Sequence, residues 1–111
     1  MPADTKFVRV SRTVGRDQVV DELIISFTHD REIKIMLPDI PPTGKHIELP
    51  LVVVMKFNSD NDDDENNNKI SHEHIYWDQA SLLVQVGLLD SSSLPIYGIE
   101  QTTKLLELSS Q

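Results

Sequence analysis

Within a chain of 111 residues, one short stretch collects most of the side chains suited to chemistry: His72, Glu73, His74, Tyr76, Trp77 and Asp78, inside Lys69–Asp78. The chemistry would be proton transfer. A histidine titrates near ~6.5 and can give or take a proton close to neutrality. A carboxylate can do so when burial raises its pKa and it lies within hydrogen-bond reach of the substrate. His72 and His74 also have the i, i+2 spacing that a strand allows for metal ligation, but no third ligand is evident and no metal or other cofactor is expected.

These residues must be positioned by a strand. Period-two alternation places His72, His74, Tyr76 and Asp78 on one face, and Ser71, Glu73, Ile75 and Trp77 on the other. Either face can be the inner one. The histidine face can line a pocket, or Ile75 and Trp77 can point into a core and leave the histidines in solvent. The long insert just before this strand hides its register against Lys45–Phe57, so both arrangements stay open. Asp78 has a structural role available as well, as N-cap of a short helix over Gln79–Val86 that stops at Gly87.

The rest of the chain reads mainly as strands. Lys6–Val14 alternates, with Val8, Val10 and Val14 expected on one face and Arg9, Ser11 and Thr13 on the other. Gly15-Arg16-Asp17 is a hairpin turn, followed by a longer strand over Gln18–His29. Asp21, Leu23, Ile25, Phe27 and His29 share one face of it. Asp21 and His29 are too far apart to pair with each other, by ~26 Å along the strand, though either can meet a group from a neighbouring strand. A short third strand is expected over Glu32–Leu37, then a proline-rich loop through Gly44.

Lys45–Phe57 has an unbroken apolar face of Ile47, Leu49, Leu51, Val53, Met55 and Phe57. Pro50, which lacks a backbone donor, should lie at a bulge or on an unpaired side. A terminal helix is expected over Ile99–Leu108. The order gives an α+β fold: a curved antiparallel sheet of four to five strands with short C-terminal helices, in a single domain over residues 1–111.

Composition narrows the partners. Residues 58–68 contain no apolar side chain and are expected to form a disordered acidic hairpin loop. Five of the eighteen acids lie there, which leaves −3 of the formal charge of −8 to the body of the chain. A pI near 4.7 argues against nucleic-acid binding, which needs clustered Lys and Arg. The absence of cysteine excludes disulfides, thiol nucleophiles and thiolate metal sites. No apolar run suits a leader or a membrane span, so a cytoplasmic location is expected. No Gly-x-Ser-x-Gly motif is present for a serine hydrolase.

The ordered segments Phe27-Thr28-His29, Leu37-Pro38, Pro41–Lys45, Val54–Phe57, Lys69-Ile70, Glu73-His74, Trp77-Asp78 and Gln85–Leu89 resemble the SnoaL-like polyketide-cyclase group of the nuclear transport factor 2-like superfamily. Fungal members described as carboxymethylenebutenolidase- or dienelactone-hydrolase-associated proteins are the nearest in appearance. The resemblance covers about Val8–Leu108 and implies a cone-shaped sheet enclosing an apolar pocket. It implies Asp78 as the family's last-strand aspartate, with His74 as its acid/base partner. Tyr76, Trp77, His29 and Phe27 are the expected contacts to a small apolar ligand.

The family normally carries helices ahead of the segment matching Phe7, and this chain is expected to lack them, leaving an incomplete cone. An open apolar sheet is expected to pair with a second copy as a homodimer. Two functions follow: a non-catalytic domain for ligand binding or subunit pairing, or an acid/base enzyme of cyclase, isomerase or hydrolase type acting on a small carbonyl or lactone.

Overall fold

The structure, a computed structural model, describes residues 1–57 and 70–109. Four strands form one antiparallel sheet in the order β1-β2-β3-β4: β1 (Lys6–Val14), β2 (Gln18–Thr28), β3 (His46–Phe57) and β4 (Ile70–Trp77). Helix α1 (Gln79–Gln85), a 3-10 turn at Ser91–Ser93 and helix α2 (Glu100–Ser109) follow. The fold is α+β, a curved sheet with its helices after the strands, consistent with an incomplete cone. Lys69 and the acidic tract 58–68 lie outside the described residues.

The β2–β3 pairing runs without interruption from Gln18↔Lys56 to Thr28↔His46, so the two apolar faces meet over their whole length. Asp21, Leu23, Ile25 and Phe27 stand opposite Val53, Leu51, Leu49 and Ile47, and one end of this face is the core. There Phe27, Ile47 and Leu49 are fully buried with Leu37 from the β2–β3 connection and Leu82 from α1. Each buried aliphatic or aromatic side chain of this kind contributes about 1.5–3 kcal/mol.

Two expectations are corrected. Glu32–Leu37 is not a strand: it is a turn with one isolated bridge, Ile33↔Leu37, in which the Leu37 amide donates to the Ile33 carbonyl at 2.7 Å. Its buried residues are Ile33, Met36 and Leu37, spaced as on one face of a helical turn, while Lys34 and Ile35 are exposed. In β1, Val8 and Val14 do not share a face. A bulge between Arg9 and Ser11 inserts Val10 as an extra residue and reverses the parity beyond it. Val8 pairs with Ile24 on the outer face, whereas Val14 pairs with Val19 on the Asp21 face.

Pro50 falls as its chemistry requires. The last β3–β4 pair is Leu51↔Trp77, so Pro50 sits just past the end of β4, on an unpaired side. Two helices take over that edge. The Gln85 carboxamide accepts from the Glu48 amide at 2.9 Å and donates to the Glu48 carbonyl at 3.0 Å, and the buried Thr102 hydroxyl donates to the same carbonyl at 2.8 Å. These bonds dock α1 and α2 on β3 where the fourth strand stops.

Candidate functional site

The register settles which face of β4 is inner. Trp77, Ile75 and Glu73 stand opposite Leu51, Val53 and Met55, the apolar side of β3. With Phe7, Asp21, Leu23 and Ile25 from β1 and β2, and Met1, Ile35 and Met36 from the flanking segments, they line a cavity of about 410 Å³. That volume is in the range of small-molecule sites. Trp77 is held in place from outside the cavity: its indole N–H donates to Gln79 Oε1 at 2.7 Å, and Gln79 Nε2 donates to the Met36 carbonyl at 2.9 Å. The strand end, the helix start and the 33–37 turn are thus tied together beside the ring.

One buried charge interrupts this apolar wall. Asp21 is 4% exposed and accepts two hydrogen bonds from Arg12, from Nε at 2.7 Å and from Nη2 at 2.8 Å. The β1 bulge is the cause of the pairing, because it moves Arg12 rather than Ser11 opposite Asp21. Arg12's fork holds the Asp21 carboxyl below the usual carboxylate range, against the opposing effect of burial. Asp21 was recognisable as a strand residue able to meet a neighbour, but its partner was hidden by the bulge.

The sign of the resulting pH dependence follows directly. A lowered folded-state pKa means that the contribution is complete above the ordinary value of about 3.9 and is lost as pH falls through the folded value. Asp4, which accepts from the Thr28 amide and hydroxyl, and Asp90, which accepts from the Ser92 amide, shift the same way. Urea midpoints should therefore fall as pH drops from 5 toward 2 (roughly the carboxylate range). Asp21→Asn should give a shallower fall than the parent chain, and an identical slope would contradict this account of Asp21.

The other expected site residues occupy different surroundings. His72, His74 and Tyr76 are exposed on the outer face of β4, with the two imidazole rings edge to face at 6.3 Å between centroids. Asp78 caps α1: its Oδ1 accepts from the Ser81 amide at 3.1 Å. Asp78 and Tyr76 border a second depression of about 290 Å³ with Glu22, Val52 and Gln101, and it shares Leu51 and Trp77 with the cavity. Phe27 lies in the core further along the inner face. His29 is fully buried at the end of β2, where its Nδ1 accepts from the Thr43 amide at 3.2 Å and its main chain bonds Lys45 and Gly44. With Nδ1 accepting, Nε2 is the ring nitrogen that carries a hydrogen, and it has no hydrogen-bond partner among the described residues. Of the expected ligand contacts, Trp77 is the one that lines the cavity.

Capping by Asp78 carries its own expected result. Asp78→Ala should cost about 1 kcal/mol in a urea titration, the usual loss for an N-cap. The same change should leave occupancy of the cavity within twofold (roughly 0.4 kcal/mol). A tenfold loss of ligand affinity with unchanged stability would reverse the assignment.

Among the described residues no group of three or more His, Asp or Glu is placed to hold a metal ion, and no helix is long and apolar enough to cross a membrane. No family model matches the chain, and no curated protein matches it. Among solved structures the chain is similar to AclR from Streptomyces galilaeus, described as a putative hydroxylase. The superposition has a TM-score of 0.60 at 22% identity and covers 78% of this chain and 56% of AclR. The likeness is one of fold. The chain spans little more than half the length of that protein.

Proposed function

We propose that the chain is a small-molecule-binding domain whose ligand occupies the cavity on the inner face of the sheet, in the manner of the SnoaL-like group that its motifs resemble. The observation that carries this reading is the cavity itself: about 410 Å³ bounded by Leu23, Ile25, Leu51, Val53, Ile75 and Trp77, on a sheet face whose other end is solid core. An apolar concavity of this size favours transfer of an apolar body from water by about 25 cal/mol per Å² covered. The fold shared with AclR supports the architecture, and the ligand is read from the cavity alone.

Trp77 is the only tryptophan of the chain, so its fluorescence reports on the cavity. Titration with a neutral alicyclic ligand such as cyclohexylethanol should shift the emission and saturate. An emission that drifts linearly, or not at all, would sink the reading.

A second reading rests on the exposed apolar residues at the open side of the sheet. Phe7 and Ile35 line the cavity and yet are 57% and 63% exposed, with Val14 exposed further along β1. Subunit pairing through this side would bury them. Sedimentation of the full chain decides it: a dimer that gives way to monomer on adding ligand supports pairing across the cavity, and a monomer throughout removes it. An acid/base role for Asp78 and His74 draws on the resemblance; neither residue lines the cavity. Full turnover of a lactone or enolisable ketone by Asp78→Asn and His74→Ala variants would dismiss that role.

A further inference from the structure

We propose that Asp21, held by Arg12, is the polar anchor of the cavity and selects ligands that carry a hydrogen-bond donor, a hydroxyl or an amine, on an apolar body. The inference rests on the binding reading above and adds the chemistry of the ligand's head group.

A carboxylate that is more than nine-tenths buried and lines an apolar cavity is costly unless its oxygens are satisfied. Arg12 satisfies part of the need, with one N–H to each oxygen. Each oxygen of an ionised carboxylate has room for a second donor, and the group offers no proton of its own. Through Asp21, the cavity therefore presents acceptors to a ligand and no donor. Trp77's indole N–H is already given to Gln79.

Glu73 is the other charged residue on the lining, and it differs in kind. It is exposed, so water already serves it, and a ligand donor that replaces water there gains little. The selective contact is assigned to Asp21. Arg12 acts through Asp21 as a positioning residue: its fork fixes the carboxylate plane and keeps the acid ionised.

Three ligands with one carbon skeleton test this: cyclohexylethanol, its methyl ether and cyclohexylethylamine, each titrated against Trp77 emission of the full chain. The ether accepts hydrogen bonds and cannot donate. The alcohol and the amine should bind about tenfold or more tightly than the ether, the effect expected of a hydrogen bond to a charged group. Asp21→Leu should reduce that ratio to near one, and Lys56→Gln, a charge change on the outer face of β3, should leave it unchanged. Arg12→Gln should lower the ratio and make it fall further as pH drops through the carboxylate range, a readout that a purely structural arginine would not move. Circular dichroism confirms that each variant is folded, and Asp21→Asn serves if the leucine variant is not. Equal affinity for the three ligands in the parent chain overturns the anchor while leaving the binding reading intact. Failure of all three to bind overturns both.

Discussion

Phe27→Ala should destabilise the chain by about 3–5 kcal/mol, the usual cost of removing a buried aromatic ring from a packed site. Phe27 is fully buried and sits opposite Ile47, in the cluster that joins β2 and β3 to Leu37 and Leu82. This end of the sheet is closed by α1 and the 33–37 turn, so the vacated space cannot be filled by a small shift of one neighbour. Against a total of about 5–15 kcal/mol for a domain, the loss is a large fraction. With a urea slope of about 1–3 kcal/mol per molar, the midpoint should drop by roughly 2 M. Val14, 69% exposed on β1, provides the contrast: Val14→Ala should stay within about 0.5 kcal/mol. Near-equal midpoints for the two variants would mean that the core is not where the structure places it.

The second large effect concerns the ligand. Leu23→Lys puts an ammonium group into the cavity wall, two residues along the same face from Asp21. Lysine can reach the Asp21 carboxylate and satisfy it with donors of its own, and its charge makes the cavity hostile to an apolar body. Affinity for cyclohexylethanol should fall at least tenfold, about 1.4 kcal/mol. Stability should change much less than in Phe27→Ala, because Leu23 is only partly buried and its new charge has a partner beside it. Retained affinity in Leu23→Lys would place the ligand elsewhere.

The strands that build the cavity were legible because their periodicity was simple. The face of β2 carrying Asp21, Leu23, Ile25 and Phe27 and the apolar face of β3 were both readable from alternation, and they meet in one continuous ladder. The Asp78 cap was also readable, since Asp before an apolar helical run has a local mechanism. The features that failed depend on tertiary context. The bulge at Val10 has no side-chain signature, yet it alone brings Arg12 to Asp21. Glu32–Leu37 reads as a strand by composition, yet its buried residues Ile33, Met36 and Leu37 carry helical-turn spacing. The inner face of β4 was undecidable without its register, and the register turned the conspicuous histidines outward and Trp77 inward.

The most direct test is a nitrogen–proton and methyl correlation spectrum of the labelled full chain during titration with cyclohexylethanol. Saturable shifts are expected at Leu23, Leu51, Val53 and Ile75 and at the Trp77 indole, residues that surround the cavity from three strands. His72, His74 and Tyr76, on the outer face of β4, should stay in place. Shifts centred on His74, Tyr76 and Asp78 with a silent inner face would contradict the account and return the site to the outer side of the sheet.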